Sequence, residues 1–192
     1  MADGGTVRQI DDSQVLAALA HPLRRRLMDV LKVHGPGTAS ALAERTTQAV
    51  ANVSHHLRVL GSAGLVEEAP ELARDRRERW WRLVGSSLRW SAQDFEGDPA
   101  GAAIAEAALS LNLEHHVGLV RAWYAAGQDE RAQWQDAAFS TDRWLHLTPE
   151  DLAGLSAEVT ALFDRWGRRE VPDDGQQREP VFVFTFGVPA QP

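Results

Sequence analysis

The chain of 192 residues contains no cysteine. Disulfide bonds, thiolate metal ligands and cysteine redox switches are therefore excluded. A long apolar run is also missing, because Arg, Asp, Glu or His interrupts every segment of helix length. The first residues have neither the basic region nor the apolar region of a secretory signal. From these absences we expect a cytoplasmic protein that does not enter a membrane.

Recognisable catalytic motifs are absent as well. The sequence has no Gly-rich phosphate loop, no GxSxG nucleophile elbow and no HExxH zinc motif. His146 has Asp142 and Glu150 near it in the sequence, but this spacing is too loose to define a catalytic group. We expect no enzymatic activity and no cofactor, so the function has to be sought in binding.

The charge that is present is unevenly distributed. The net charge is −7, yet residues 1–90 hold 13 Lys and Arg against 10 Asp and Glu, while residues 91–192 hold 7 against 17. A basic half joined to an acidic half suits a DNA-binding part and a second part that stays away from phosphates. Two solvated surfaces of different composition would give the same counts, so charge alone leaves both interpretations open.

The first half shows short helical patterns followed by a hairpin pattern. Residues 1–10 are expected to form a flexible tail, and Asp11–Ser13 can cap a helical stretch that reaches about Val33. Pro22 interrupts that stretch, because proline removes a helical hydrogen bond, and this predicts two helices or one kinked helix. The remaining predicted elements are helices near 38–45 and 48–63 and strands at 64–69 and 79–84.

The helix predicted at 48–63 has two different faces. At 100° per residue, one face is apolar and is expected to meet a core; it contains Val50, Val53, Leu57 and Leu60. The other face contains Gln48, Ala51, Asn52, His55, Arg58 and Ser62. Polar side chains of this kind can read the mixed donors and acceptors of a major groove. An ordinary surface helix would show the same periodicity, but the capped helix before it and the hairpin after it favour a winged helix-turn-helix.

Four arginines surround the loop between the two predicted strands. They are Arg74, Arg76, Arg77 and Arg79. Arginines in such a wing can reach phosphates or a minor groove, although a solvated run of charge would look the same. Trp80 and Trp81 alternate across the second strand, and we expect them to pack in a core or an interface.

Two motifs resemble those of ArsR-type repressors. Residues 17–31, AALAHPLRRRLMDVL, resemble their opening helices, and residues 53–66, VSHHLRVLGSAGLV, resemble their recognition helix and the start of their wing. The resemblance spans residues 11–90, less than half of the chain. It implies a homodimeric winged-helix transcription factor on an operator with two-fold character, with His56 and Leu57 packed in the domain. By the same resemblance, the residues near bases or phosphates are Gln48, Asn52, Ser54, His55 and Arg58.

The sequence departs from the metal-sensing members of that family. Their sensor cysteines are missing, and Glu114, His115 and His116 are the remaining candidate ligands. Adjacent histidines on a helix point about 100° apart, so they do not readily share one ion without a second subunit. We expect no metal site, and we interpret the two histidines as a helix-surface or dimer-contact pair.

The second half predicts helices at 100–126 and from 149 to about 169, with strands at 144–147 and 181–186. The first of these helices has an apolar stripe, which either packs within one subunit or meets a partner helix in a symmetric dimer; its residues are Leu109, Leu113, Val117 and Val120. Four tryptophans are expected to fill a small core or to line an effector pocket. They are Trp123, Trp134, Trp144 and Trp166.

The sequence therefore predicts a mostly α (α+β) chain. A winged helix-turn-helix domain at 11–90 is followed by a helical dimerisation or effector region at 91–192, which contains a small strand-helix-strand unit. The predicted function is a sequence-specific regulator of transcription that binds double-stranded DNA as a homodimeric repressor, released by an unidentified small-molecule effector. The alternative is a protein-interaction module that has the winged fold but does not bind DNA.

Overall fold

The computed structural model describes residues 7–75, 77–85 and 87–191. The chain divides into two compact units, one that extends to Glu114 and one that begins at His115. Most regular structure is helical, as the sequence predicts, and the small sheets lie in the first unit. Within the described ranges, no helix is both long enough and apolar enough to cross a membrane.

The first unit contains four helices, and a side-chain cap marks the start of each of the first three. The helices are α1 (Ser13–Leu19), α2 (Pro22–His34), α3 (Ala39–Thr46) and α4 (Val50–Ser62). The Asp12 carboxylate accepts the Gln14 N–H at 2.8 Å and starts α1. The Thr38 hydroxyl accepts the Ala41 N–H at 3.2 Å and starts α3. Such caps satisfy N–H groups that have no partner inside the helix, and the break expected at Pro22 gives two separate helices.

The first unit also contains a three-stranded antiparallel sheet. Its strands are β2 (Gly37–Thr38), β3 (Val66–Glu68) and β4 (Trp80–Leu83), in the order β2-β4-β3. In the β3–β4 hairpin, Glu67 lies opposite Arg82 and Glu68 opposite Trp81. The loop of the hairpin contains a 3₁₀ turn at Pro70–Leu72. The hairpin predicted from sequence is therefore present, and the short β2 extends it on the other side of β4.

The N-terminal segment is more ordered than the sequence predicts. Within the range 1–10, expected to be a flexible tail, Val7–Gln9 form strand β1, which pairs in parallel with β5 (Ser87–Arg89). Ile10 is only 2% exposed, and its N–H donates to the Arg89 carbonyl at 2.9 Å. The tail prediction is wrong for these residues, because an apolar anchor and a partner strand 80 residues away hold them; residues 1–6 lie outside the described ranges.

The second unit is helical but lacks the predicted strands. Helix α5 (Pro99–Ala125) ends in it, and α6 (Gln128–Ala132) and α7 (Pro149–Arg168) lie within it. The start of α7 is a capping box between Thr148 and Asp151, as its Thr-Pro-Glu-Asp sequence indicates. Residues 144–147 and 181–186 are described and form no strand. Their alternating pattern suits a strand, but neither segment has a neighbouring strand to pair with.

Candidate nucleic-acid interface

A tight turn connects α3 to α4. Thr47 ends α3 with a φ of 55°, in the left-handed region. The Gln48 N–H donates to the Ala43 carbonyl at 2.9 Å, and the buried Thr46 hydroxyl donates to the Leu42 carbonyl at 2.7 Å. These bonds hold the turn against the end of α3, so α4 starts in a fixed direction. The arrangement is a helix-turn-helix with α4 in the position of the recognition helix.

One side of α4 is anchored in the core. Val53, Leu57 and Leu60 are 0% exposed, as their spacing predicts. Val50 was expected on the same face, and that expectation is wrong, because the Val50 side chain is 46% exposed. Val50 is the first residue of α4, where the helix extends past the core. An exposed apolar side chain at this end of a recognition helix can contact a thymine methyl group.

The other side of α4 presents the polar residues that the sequence singles out. Gln48, Asn52, His55 and Arg58 are exposed, and Ser54 is half-buried. The Asn52 side-chain amide donates to the Gln48 amide oxygen at 3.1 Å. This bond places two amide side chains together at the beginning of α4. Amides can satisfy both a donor and an acceptor of adenine, so this end of the helix has the chemistry needed to read a base.

His56 points away from this surface and packs inside the domain. It is 8% exposed, and its ring centroid lies 4.3 Å from that of His21. His21 caps α2, because its Nδ1 accepts the Leu23 N–H at 3.1 Å. Burial lowers the pKa of both histidines, and the positive charges of the nearby Arg24 and His55 lower it further. For His56, the charge of His21 lowers the pKa as well. Both rings are therefore held in the neutral form, and they join α2 to α4.

Acidic side chains shape the loop of the wing. The Asp75 carboxylate accepts the Arg77 N–H at 2.6 Å, and the Glu78 carboxylate accepts the Arg74 N–H at 3.0 Å. The bond from Arg74, with a further one from the Trp80 indole, lowers the pKa of Glu78. Arg74 and Arg77 are exposed, as expected for a wing that reaches a nucleic acid. Arg76, also predicted to contact DNA, lies outside the described residues.

The arginines of the strands are partly neutralised. The Arg79 guanidinium lies 3.4 Å from the Glu68 carboxylate, and Arg82 pairs with Glu67 at 2.7 Å and also with Glu71. The bond to Glu67 raises the pKa of Arg82. Arg82 was not among the predicted DNA contacts, and its two acidic partners agree with a structural role. Among the described residues, Arg79 has one ion-pair contact, which is longer, and its side chain is 67% exposed.

The recognition helix and the wing meet at a small depression. Its volume is about 130 Å³, and it is lined by Ala39, Ser54, Arg58, Arg79 and Trp81. Arg58 belongs to α4 and Arg79 precedes β4, so two guanidinium groups from separate elements border one concave surface. Trp81 underlies it: a Cβ atom built on Gly61 would lie 3.2 Å from the Trp81 ring. Glycine at position 61 therefore allows β4 to pack closely on α4.

The predicted tryptophan group does not assemble in the single chain. Trp144 and Trp166 are 65% and 60% exposed, and Trp166 stacks with the Arg169 guanidinium at 4.8 Å. The Trp134 indole donates to Glu179 at 3.3 Å, and Trp123 is half-buried. Among the described residues, no ring contact joins these four side chains. Whether they line a core or an effector pocket stays a prediction.

The histidine pair of α5 has aromatic neighbours. The rings of His115 and His116 are 6.0 Å apart at 54°, and His116 contacts Phe182 and Phe184 at 5.1 and 5.3 Å. Searched over the described residues, the structure contains no group of three His, Asp or Glu side chains that could hold a metal ion. His116 is thus part of an aromatic cluster in the second unit.

Comparisons with known proteins agree with the architecture of the first unit. Residues 19–69 match the family model of a helix-turn-helix domain, which confirms that prediction. No curated protein matches the chain. Among solved structures, the chain is 27% identical to the homodimeric winged helix-turn-helix DNA-binding domain Mb0332 from Mycobacterium bovis, a possible ArsR-family transcriptional regulator (54% of this chain, 82% of that one, TM-score 0.34).

Two further solved structures are similar over a larger share of the chain. A possible transcriptional regulator for arsenical resistance is 28% identical, over 66% of this chain and 98% of that one, with a TM-score of 0.32. A mutant of MarR from E. coli, solved in complex with operator DNA, is 17% identical, over 79% and 84%, with a TM-score of 0.32.

Proposed function

We propose that this winged helix-turn-helix protein is a sequence-specific DNA-binding regulator of transcription, of the ArsR type, and that it acts in the cytoplasm as a homodimeric repressor. The observation that carries the proposal is the shared surface of α4 and the wing. Arg58 and Arg79 border one depression, and the exposed amides of Gln48, in the turn before α4, and Asn52, in its first turn, lie together. A surface helix needs none of these features for stability, whereas a helix that enters a major groove needs all of them.

Each group has a distinct role in the proposed complex. Gln48, Asn52 and His55 read base edges, and Val50 contacts a thymine methyl group. Arg58 and Ser54 approach the phosphates that border the groove. Arg74, Arg77 and Arg79 contact the backbone or the minor groove beside the wing, with Arg76 as a further predicted contact. Phosphate contacts fix the position of the domain, and base contacts supply the sequence preference.

We propose that the second half of the chain forms the dimer and binds the effector. In the single chain, Leu109, Leu113 and Val120 of the predicted α5 stripe are 37 to 40% exposed, which favours a partner helix over packing within one subunit. A two-fold dimer would present two copies of α4 to successive major grooves. A small molecule that binds near Trp123, Trp134, Trp144 or Trp166 would then change the spacing of the two copies and release the DNA.

The test is duplex binding by the purified full-length chain. Fluorescence anisotropy with the DNA upstream of its own gene, at about 50 and 150 mM salt, should show binding of two chains per site and a steep loss of affinity with salt. If that duplex does not bind, selection from random sequences tests other operators. If no duplex binds, or if heparin removes all of the duplex binding, the result contradicts the proposal and favours the interaction module, which the net charge of −7 suggests.

A further inference from the structure

The second unit has no interior of its own in the single chain. None of the described residues from His115 to Gln191 is buried, whereas the first unit buries twenty apolar side chains completely or nearly so. Large apolar groups of the second unit are instead in contact with water, for example Phe139 at 76% exposed and Val181 at 63%. Folded proteins do not normally expose so much apolar surface without a partner.

The exposed area is large enough for an extensive interface. The chain has a mass of 21.1 kDa and a surface of 14410 Å². A compact folded chain of this mass exposes roughly 9,000 Å², and two separate bodies of half the mass expose about 11,000 Å² together. The excess of more than about 3,000 Å² per chain exceeds the roughly 800 Å² per partner of a standard interface.

The segment 181–188, Val-Phe-Val-Phe-Thr-Phe-Gly-Val, is the most suitable part of that surface for pairing. It contains no charged residue, and Pro180 and Pro189 bound it. The Phe182 and Phe184 rings stack at 5.6 Å, and the Phe184 and Phe186 rings meet edge to face at 6.3 Å. Within the described part of the chain, the segment makes no backbone hydrogen bond to another segment. Natural proteins usually protect such an edge with charge or bury it.

We propose that this segment pairs with the same segment of a second copy, as an antiparallel two-stranded ladder across the two-fold axis of the dimer. An antiparallel pair of identical strands is self-complementary, as a two-fold interface requires. Residues opposite each other in such a pair point to the same face. A register centred on Val183 or Phe184 therefore places phenylalanines opposite phenylalanines, and a one-residue shift would place them opposite valines or threonine.

The inference rests on the homodimer of the proposed function and assigns the surface that forms it. It does not depend on DNA binding, because no residue of the segment belongs to α4 or the wing. Failure of the two proposals can therefore be separated. A chain that dimerises through the segment and binds no duplex contradicts the regulator, and a chain that binds duplex DNA without this pairing contradicts the inference.

Single cysteines test the register directly, because the natural chain has none. We would oxidise full-length Val183→Cys, Phe184→Cys and Val188→Cys in separate samples and measure the yield of disulfide-linked dimer. Residues at the centre of the pair come within disulfide distance of their copies. Val188 is as exposed as Val181, at 65% and 63%, but its two copies would lie about 26 Å apart or more in the proposed ladder.

The expected result is a high yield for Val183→Cys or Phe184→Cys and a yield at least tenfold lower for Val188→Cys. Equal yields at the three positions would indicate non-specific association and overturn the inference. A second measurement does not rely on cysteine. Val183→Asp should raise the dimer dissociation constant at least tenfold in sedimentation equilibrium, because either register would place two carboxylates within the paired apolar strands, while Val183→Thr should change it little. An unchanged constant for Val183→Asp would also overturn the pairing.

Discussion

Replacement of Arg58 with alanine tests the proposed interface most directly. Arg58 is exposed on α4 and borders the depression that also contains Arg79. Its removal should leave the fold intact, because the neighbouring Leu57 and Leu60, at 0% exposed, hold the helix. A substitution at this position therefore reports on DNA binding and not on folding.

The expected magnitude follows from the number of phosphates that are lost. Each phosphate contact contributes about 0.9 to the slope of log K against log salt concentration. One Arg58 in each of two copies gives about 1.8 per dimer. Between about 50 and 200 mM salt, the affinity of the natural chain should fall about tenfold more than that of Arg58→Ala. The salt concentration rises about fourfold, and four to the power of about 1.8 is roughly ten.

The assay is fluorescence anisotropy on one duplex across a salt series. Arg58→Lys is the matched control, because lysine keeps the charge but not the planar fork of arginine. If Arg58 contacts a phosphate, the lysine variant should keep the natural slope and nearly the natural affinity. If Arg58 reads a guanine, the lysine variant should keep the slope but lose sequence preference. An alanine variant with unchanged slope and affinity would refute the assignment of Arg58 to the interface.

Three further predictions concern the first unit. Leu57→Ala should lower the free energy of unfolding by about 2–5 kcal/mol in urea titration, because it removes a fully buried side chain; a loss under about 1 kcal/mol would contradict the core placement. Thr38→Ala should lower the free energy of unfolding by about 1 kcal/mol in the same assay, because α3 loses its cap. Thr38→Ser keeps a capping hydroxyl and should lower it by much less. His21 and His56 have lowered pKa values in the folded chain. In acid, the unfolded chain therefore binds more protons than the folded chain. The stabilisation should be complete above about pH 6.5, and the free energy of unfolding should fall as the pH is lowered below that value. His56→Gln should flatten that fall, and an unchanged pH profile would show that His56 does not contribute.

Much of the first unit could be predicted because its signals are local. Thr38 caps a helix through a bond to a residue three positions later, and Pro22 breaks a helix at its own position. The apolar spacing of Val53, Leu57 and Leu60 fixes which side of α4 is buried. The polar side follows from the same periodicity, so the sequence alone indicates that Asn52 is exposed.

The features that sequence reasoning missed depend on distant partners or on the end of an element. Strand β1 forms because β5, 80 residues later, pairs with it, and no local pattern marks that pairing. Val50 has the periodicity of a core residue, yet the core does not reach the first residue of α4. The strands expected at 144–147 and 181–186 have suitable local patterns, but a strand forms only when another strand satisfies its backbone groups.

The contact between Gly61 and Trp81 has a consequence for how affinity can be controlled. Because β4 packs directly on α4, the recognition helix and the wing of the proposed complex would already be arranged before they meet DNA. Little conformational entropy is then lost on association, since no loop has to fold against the helix. An effector of the proposed dimer would therefore weaken DNA binding less by bending the wing than by changing the distance between the two winged-helix domains.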